Sequence, residues 1–312
     1  MSEHEAVEPF VHPALFYAGP DEYLAGTVPF IEAGLAAGEP VMVAVPGDNL
    51  ERIRAALGPA ANRVVLHNMQ LAGRNPGRII PGVLLAFAAA HAGRPVRIIG
   101  EPIWAGRSPL EYPACAQHEA LINTAFAGRD ATILCPYDTT RLDPDWVRDA
   151  YRTHPVVWTT SVRHDSAHYR DPVDVAAGFN LPLPDPPPHA TTMAVEITGL
   201  AAVRRLAAAE AVAAGLPDDR VTDLIVAVSE LAANTVEHAG GTGRLAIWAE
   251  DGRVVCQVSD SGHVTDPMAG RLPVPPDAPT GGRGLVLVNQ LCDLVRVHTR
   301  PGATTIRVQL GR

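Results

Sequence analysis

The C-terminal third of the chain contains the stretch that decides the fold there, Glu230-Leu231-Ala232-Ala233-Asn234-Thr235-Val236-Glu237-His238. Glu230, Asn234 and His238 recur at intervals of four, so a helix places them on one face. Apolar residues form the adjoining stripe, which faces a core: Val221, Leu224, Ile225, Val228, Leu231 and Ala232. The spacing predicts a helix over 218–239 with its polar side chains at the edge of a cleft. The alternative is a solvated polar face.

Two glycine-containing motifs follow this helix. Asp260-Ser261-Gly262 comes directly after an alternating strand pattern, and Gly281-Gly282-Arg283-Gly284 opens a short helical pattern. Gly262 lets the backbone pass close to a ligand, and bare N–H groups at a helix start attract anions. Alone, each motif is also an ordinary turn or helix start. Their order within about 55 residues predicts that the three motifs share one pocket.

The residue types in these motifs suit a magnesium nucleotide. The amide oxygen of Asn234 suits Mg²⁺, a hard ion that also binds phosphate oxygens. Glu230, one turn earlier, is placed to polarise an attacking hydroxyl or water. The Asp260 carboxylate can accept a hydrogen bond from an exocyclic amine such as that of adenine. Gly282 and Gly284 offer backbone N–H groups to phosphate. We therefore predict an ATP site.

The ordered motifs resemble the N, G1 and G2 boxes of the GHKL (Bergerat) ATPase superfamily. Residues 228–239, 282–285 and 304–308 are most similar to the anti-sigma factor serine/threonine kinases of the RsbW type. The resemblance covers about 190–312 and implies ATP and Mg²⁺ as cofactors, with Glu230 as catalytic base and Mg²⁺ bound through Asn234. It also implies adenine contacts from Asp260 and a threonine of the last strand, Thr304 or Thr305, and phosphate contacts at Gly282 and Gly284; Gly262 and Arg283 complete the predicted nucleotide-binding set.

The same resemblance implies two alternative acts at one surface: sequestering a sigma factor, or phosphorylating a serine or threonine of a STAS-type anti-anti-sigma protein. Proteins of this branch are usually dimers, and a homodimer is left open here. One departure is that His263 and Val264 follow Gly262 where many members carry a second glycine. Residues 263–280 form a proline-rich loop that we predict to be a lid. Both features favour an alternative function, a nucleotide-gated binding module without kinase turnover.

The composition excludes several other classes. The net charge is -9, and the absence of a long basic run argues against direct nucleic-acid binding. The longest apolar stretch, Val83 to Ala90, is far too short to cross a membrane, and the acidic N-terminus does not look like a secretory signal. Four widely separated cysteines indicate reduced thiols and predict a cytoplasmic location.

The N-terminal half alternates strand-like and helical patterns, which predicts an α/β domain with a mostly parallel sheet. The predicted strands are 14–18, 41–45, 63–67, 96–99, 132–135 and 156–159, and the predicted helices lie near 21–37, 49–57, 79–92, 111–127 and 144–153. Polar residues just past the strand ends mark the usual ligand edge of such a sheet, with capping as the alternative. His118, Cys135 and His154 are soft-metal ligand types, but their spacing fixes no geometry, and packing is the alternative.

This half resembles the MEDS (DcmR-type) sensory domain over about 10–160. The resemblance is carried by five stretches: 12–17, 75–76, 97–102, 118–123 and 135–138. It implies that the domain senses a small-molecule signal. The candidate sensory residues are Glu101, Glu119, Cys135 and Asp138.

Together these patterns predict a sensory domain over 1–170, a proline-rich linker over 171–190 and an ATPase domain over 191–312. The proline content of the linker predicts neither a regular helix nor an interior strand in 171–190. The C-terminal domain is predicted as an α+β sandwich with a mixed, largely antiparallel sheet. Its predicted strands are 192–197, 244–250, 253–259, 293–299 and 303–310, and its predicted helices are 199–214, 218–239 and 284–292. The function we expect is a sensor-coupled anti-sigma regulatory kinase.

Overall fold

The structure is a computed structural model that describes residues 10–274 and 282–311. The chain divides into two compact units. The first comprises residues up to Arg74 together with Val83–Ala177, and the second comprises Asn75–Gly82 together with the residues from Gly178 onward.

Within the described residues, the first unit contains an eight-stranded sheet in the order β4-β3-β5-β6-β2-β7-β8, with β1 paired to β6. Its pairs are parallel except for the antiparallel pair β7–β8. All five residues of β3 are buried, as expected for an inner parallel strand. The strands are β1 Phe10–Val11, β2 Pro13–Tyr17, β3 Val41–Val45, β4 Val65–Asn68, β5 Val96–Gly100, β6 Ala131–Asp138, β7 Val156–Trp158 and β8 Arg163–Asp165.

The helices of the first unit connect these strands, which confirms the predicted α/β class. They are α1 Gly19–Ala36, α2 Gly47–Leu57, α3 Met69–Ala72, α4 Leu85–Ala90, α5 Tyr112–Phe126, α6 Pro144–Thr153 and α7 Pro172–Gly178. The predicted helix near 79–92 begins with a π-helical turn, Ile80–Leu84, before α4. The short strands β1 and β8 were not predicted, because two or three residues carry too little periodicity to be recognised.

Helix α7 corrects our expectation that 171–190 would contain no regular helix. Pro172 lies at the first helical position, where its missing N–H costs no intrahelical bond. Asp171 precedes it and accepts hydrogen bonds from the backbone N–H groups of Val173 and Asp174, at 2.8 and 3.2 Å. A capped start of this kind is compatible with proline, so proline content alone was a poor guide here.

The second unit is a helix layer on a sheet. Its described strands form a five-stranded sheet in the order β12-β13-β11-β10-β9, in which every pair is antiparallel. The strands are β9 Thr191–Glu196, β10 Thr242–Glu250, β11 Arg253–Asp260, β12 Leu294–Arg300 and β13 Ala303–Gly311. The helices are α8 Leu200–Ala213, α9 Asp218–His238 and α10 Arg283–Leu291. The predicted sandwich is confirmed.

Local sequence explains the central hairpin. Asp251 and Gly252 join β10 to β11 with φ values of +50° and +72°, as a type I′ turn requires at both central positions. One sheet face packs on the helices through buried side chains such as Leu224, Leu231 and Val308.

The other face of that sheet carries a smaller apolar cluster, Ala246, Trp248 and Val255, against which Ala190 packs. Residues between α7 and β9 lie along this unit. Asn180 exchanges two hydrogen bonds with the backbone of Thr299 on β12, at 2.7 and 3.0 Å. Arg307 donates to the carbonyl of Pro184. The proline-rich stretch is therefore hydrogen-bonded to the sheet of the second unit.

Candidate functional site

Helix α9 contains Glu230, Asn234 and His238, which their spacing places on one face of the helix. The helix begins at Asp218, after Pro217. The negative charges of Asp218 and Asp219 in its first turn interact favourably with the positive end of the helix dipole. Its apolar stripe is anchored by fully buried Leu224 and Val228. Because these side chains fix the rotation of the helix, Glu230 and Asn234 are held partly buried at the edge of the core.

Asp260 lies at the end of β11 with both carboxylate oxygens hydrogen-bonded. Thr235 of α9 donates to Oδ2 at 2.8 Å, and the backbone N–H of Gly262 donates to Oδ1 at 2.9 Å. A carboxylate offers about four acceptor positions, so it can still accept a donor from a ligand. Gly262 is packed closely: a Cβ there would lie 3.1 Å from the Cβ of Ala239. The motif therefore needs glycine for space as well as for the turn.

Helix α10 begins beside α9. Gly282 adopts a left-handed conformation, with φ of +78°, at the position just before the helix. A Cβ placed on Gly284 would lie 2.8 Å from Oε2 of Glu230 and 3.4 Å from Nδ2 of Asn234. The first turn of α10, whose N–H groups have no intrahelical partners, thus lies against the two polar residues of the N box.

The two candidate threonines are neighbours on β13 and point to opposite faces of the sheet. Thr304 is buried, lies opposite Asp260 in the sheet register, and donates to the carbonyl of Gly262 at 3.1 Å. Thr305 is 3.2 Å from Ser259, oxygen to oxygen. Since successive strand residues point to opposite faces, Thr304 faces the motifs and Thr305 does not.

A cavity of about 400 Å³ joins these groups, which is within the size range of small-molecule sites. It is lined by six of the predicted residues: Asn234, Asp260, Gly262, Gly282, Gly284 and Thr304. Among the residues that the structure describes, Glu230, Arg283 and Thr305 do not line it. Glu230 contacts its edge through Gly284, and Arg283 is exposed.

Several lining residues were not predicted, chiefly an apolar set: Met268, Leu272, Leu285 and Ile306. An apolar residue in a loop or on a strand carries no signal that distinguishes ligand contact from core packing. Gly270 also lines the cavity, with φ of +74° and no room for a Cβ, which would lie 2.7 Å from the Cβ of Leu285. The remainder of the predicted lid, 275–280, and Gly281 lie outside the described residues.

The cavity fits a magnesium nucleotide in the chemistry of its donors. It combines an apolar wall for a base, a carboxylate able to accept an amine, an amide for Mg²⁺ and a helix N-terminus for phosphates. A Cβ at Gly262, Gly270 or Gly284 would fill part of this cradle or displace its polar groups. The arrangement supports the predicted nucleotide site.

The first unit holds a second cavity, of about 480 Å³, at the carboxyl ends of β2, β5 and β6. Glu101 and Asp138 both line it. Burial raises the pKa of Glu101 to about 8, although hydrogen bonds from Asn49 to both of its oxygens, at 3.1 and 2.9 Å, act in the opposite direction. A carboxyl group that is protonated at neutral pH can donate a hydrogen bond to a ligand. Other polar residues that line the cavity were not predicted: Tyr17, Asn49, Arg52 and Arg141.

The other two candidate sensory residues lie elsewhere in the unit. Glu119 and Cys135 belong to a fully buried cluster with His12 and His154. His118, the neighbour of Glu119, is not part of that cluster. The four predicted sensory residues therefore divide between two separate places, the cavity and the buried cluster.

The helix layer and antiparallel sheet of the second unit form a GHKL-type fold. Residues 193–310 match the family described as histidine kinase-like ATPase domain. Residues 11–155 match the family described as MEDS, the MEthanogen/methylotroph, DcmR Sensory domain. The chain thus consists of a MEDS domain followed by a histidine kinase-like ATPase domain. Among the described residues, none of the helices has the length and apolarity needed to span a bilayer.

Comparison with solved structures finds the RsbU and RsbW domains of Rv1364c from Mycobacterium tuberculosis. The sequence identity is 21%, the TM-score is 0.29, and the match covers 39% of this chain and 32% of that one. The matched part therefore spans about a third of the length of that protein. No curated protein matches the chain.

Proposed function

We propose that this protein is a sensor-coupled anti-sigma regulatory factor that binds Mg-ATP in its C-terminal domain. Its output is one of two acts: sequestering a sigma factor, or phosphorylating a serine or threonine of a STAS-type antagonist. The RsbW-type resemblance of residues 228–239 and 304–308 is the basis for these partners. We propose a small-molecule signal at the N-terminal domain and, as in the resembled branch, a homodimer.

One observation carries the nucleotide part of the proposal. The three motifs are separated by loops and strands in the chain, yet residues from each of them line a single cavity with Thr304. Asp260 at one side and the start of α10 at the other provide a carboxylate and a helix N-terminus. These are the complementary groups for the two ends of a nucleotide, an amine-bearing base and an anionic phosphate chain.

For the kinase, each residue has a separate task. Asn234 would hold Mg²⁺, which would neutralise phosphate charge. The N–H groups at Gly282 and Gly284 bind phosphate oxygens, and Asp260 orients the base. Glu230 accepts the proton of the attacking hydroxyl or orients that hydroxyl. Transfer would then depend mostly on positioning and electrostatics.

A nucleotide-gated binding module without turnover is the second candidate. The observation that favours it is the position of Glu230, which packs on Gly284 but is not among the described residues lining the cavity. In the module, the nucleotide sets the affinity for the partner and Glu230 only supports the start of α10.

The signal site we propose is the cavity around Glu101 in the first unit. Its polar residues converge at the carboxyl ends of parallel strands, the usual ligand edge of such sheets. Asn49, Arg52 and a carboxyl group with a raised pKa offer both donors and acceptors. A small polar molecule is therefore the ligand class that fits.

The first test is calorimetric titration of Mg-ATP and Mg-ADP into the wild type and the Asn234→Ala variant. We expect the wild type to bind and the variant to lose the magnesium-dependent part of the affinity. Glu237→Ala, an exposed change on the same helix, should bind like the wild type. No binding of either nucleotide by the wild type would reject the nucleotide site.

A second test separates the two candidates. Candidate STAS-type proteins are incubated with labelled ATP and either the wild type, Glu230→Gln or Glu237→Gln. Phosphorylation that is lost only in Glu230→Gln, with nucleotide binding retained, supports the kinase. Partner binding that depends on nucleotide, without phosphorylation by the wild type, supports the module.

A further inference from the structure

The MEDS domain contains a cluster of metal-ligand side chains that no part of the proposed function uses. It consists of His12, Glu119, Cys135 and His154, each at most 1% exposed. One ligand atom from each residue lies within 4.8 Å of all the others. His12 lies between β1 and β2, Glu119 in the middle of α5, Cys135 on β6, and His154 directly after α6. The fold therefore brings together groups that are up to about 140 residues apart in sequence.

The hydrogen-bond network determines which nitrogen of each histidine bears the proton. Nδ1 of His154 is 2.9 Å from the carbonyl oxygen of Ala150. A carbonyl can only accept, so Nδ1 carries a proton, and in the neutral imidazole the lone pair is then on Nε2. Oγ1 of Thr153, also 2.9 Å from Nδ1, has a backbone carbonyl to donate to, that of Ala150 at 3.3 Å. The backbone thus fixes His154 in the tautomer that a metal-binding Nε2 needs, and metal-bound histidines are commonly held in this way.

His12 is held in the same tautomer by Asn123. The Nδ2 group of Asn123 donates to the carbonyls of Ala120 and Thr153, at 3.1 and 2.8 Å, so its Oδ1 must face His12. Nδ1 of His12 lies 3.1 Å from that oxygen and donates to it. Nε2 of His12 is therefore the second lone-pair nitrogen in the cluster.

Both lone-pair nitrogens face the carboxylate of Glu119. Oε2 is 3.2 Å from Nε2 of His154 and 3.5 Å from Nε2 of His12. These distances are short enough for ion pairs, but neither Glu119 oxygen nor Nε2 of His154 has an aligned hydrogen-bond partner among the described residues. Buried acceptors that face one another without a donor are costly. A cation between them would remove that cost.

Three of the six separations, 3.2, 3.5 and 3.3 Å, are close to the edges of a tetrahedral metal site, and the other three are at most 4.8 Å. With metal–nitrogen and metal–oxygen bonds of about 2.0–2.1 Å and a metal–sulfur bond of about 2.3 Å, tetrahedral ligands are about 3.3 Å apart for N and O and about 3.6 Å apart for N and S. Sγ of Cys135 is 3.3 Å from Nε2 of His12. In the metal-free alternative the thiol donates to His12, which leaves neutral His154 and ionised Glu119 facing each other as two acceptors. A proton between these two groups is the other metal-free arrangement, and with it the cluster would not bind a stoichiometric metal ion.

We propose that His12, Glu119, Cys135 and His154 bind one divalent transition-metal ion, with Zn²⁺ the best match. A set of two imidazoles, a carboxylate and a thiolate suits a borderline-soft ion, not Mg²⁺ or Ca²⁺, which prefer oxygen ligands. Four protein ligands and full burial leave no open coordination position, so the ion has a structural role. It ties the N-terminal segment to β6, α5 and the end of α6.

The test uses the full-length chain, purified without a metal-affinity tag. Metal content is measured by mass spectrometry, and the chelator-treated protein is then titrated with Co²⁺. We expect about one equivalent of bound metal, visible d–d bands typical of tetrahedral Co²⁺ and a thiolate-to-cobalt charge-transfer band. Cys135→Ala should lose the charge-transfer band, and Cys115→Ala, a buried cysteine outside the cluster, should keep it.

Glu119→Gln is a second test in case Cys135→Ala does not fold, because it removes a charge with little change in the shape of the side chain. Its affinity for Co²⁺ should fall about tenfold or more, while its circular dichroism stays like that of the wild type. His118→Gln, next in sequence but outside the cluster, should bind like the wild type. Substoichiometric Co²⁺ binding by the wild type, or a charge-transfer band that survives in Cys135→Ala, would overturn the proposal. None of these readouts depends on nucleotide binding, so the two proposals stand or fall separately.

Discussion

Gly284 lies so close to Glu230 that a Cβ added to it would stand 2.8 Å from the carboxylate oxygen Oε2. The two residues come from different motifs, on α10 and α9, and their contact fixes the distance between the start of α10 and the proposed catalytic carboxylate. The atom that a new Cβ would meet is the far end of a flexible side chain, so the side chain can move and the fold can persist.

Gly284→Ala should therefore displace Glu230 without unfolding the domain. We expect the affinity for Mg-ATP to fall by about tenfold, the equivalent of about 1.4 kcal/mol, because Asn234 is also crowded. Calorimetry measures the affinity, and thermal unfolding should give a Tm close to that of the wild type. Gly178→Ala, where nothing lies within 4 Å of the added Cβ, is the control. An unchanged affinity in Gly284→Ala would show that the start of α10 is not part of the nucleotide site.

Asp260→Asn should weaken the binding of ATP specifically through its base. The amide nitrogen cannot accept, so either Thr235, Gly262 or the ligand amine loses its acceptor. We expect an affinity roughly ten- to a hundredfold lower, the loss of one hydrogen bond to a charged group. A purine nucleotide without the exocyclic amine should bind the variant and the wild type more nearly alike. Ser261→Ala, which loses a bond to Ala239 instead, should retain normal ATP affinity.

Glu101 should make the first unit less stable as pH rises from about 5 to 8. Its pKa is about 8 in the folded protein against 4.5 without the fold, so the folded state holds more protons between these values. The free energy of unfolding then falls by up to about 1.4 kcal/mol per pH unit across this window, and the contribution is complete below the unfolded pKa. Urea unfolding followed by tryptophan fluorescence at pH 5.5 and 8.5 measures the change.

Glu101→Gln should remove that pH dependence because the amide does not titrate. Glu111→Gln is the matched control. Burial would raise the pKa of Glu111, but hydrogen bonds from Ser108 and the charge of Arg107 outweigh it and hold that pKa below its usual range. Its contribution is therefore lost only at lower pH, and this variant should keep the slope. Equal slopes in the wild type and Glu101→Gln would contradict the raised pKa.

Arg220→Met should destabilise the second unit. The guanidinium is paired with Asp223 and Asp293, at 2.6 and 2.7 Å, and donates to the carbonyls of Leu291 and Gly311. Removing it breaks both ion pairs and takes a donor away from two backbone carbonyls, a change that costs about 1–3 kcal/mol. Chemical denaturation should show this as a lower midpoint. Arg204→Met, an exposed position on α8, should change the stability by less than about 1 kcal/mol.

Local sequence was enough to predict most of the elements. Regular periodicity over ten or more residues predicted α8 and α9, and the Asp251-Gly252 turn predicted the β10–β11 hairpin. These features depend on residues close in the chain, whose geometry is set by backbone sterics and hydrogen bonding. The exceptions are instructive: β1 and β8 are too short to show a period, and Pro172 was compatible with α7 because it stands at the helix start.

Six residues of the candidate nucleotide site could be predicted to lie together for the same reason. Its polar residues come from three motifs whose internal spacing is characteristic, so Asn234, Asp260 and Gly284 could be identified before any fold was known. The choice between Thr304 and Thr305 could not. It depends on the register of β13 against β11, which places Thr304 opposite Asp260, and a shift by one residue would reverse the two.

The sequence alone determined the two fold classes and six of the residues that line the C-terminal cavity, because periodicity and motif spacing are short-range properties. The tertiary structure decided which candidate residues of the MEDS domain lie together. Parallel strand order brings Glu101 and Asp138 to one cavity, and it buries Glu119 and Cys135 with His12 and His154. Partners this distant in the chain meet only through the packing of strands and helices, which no local pattern records.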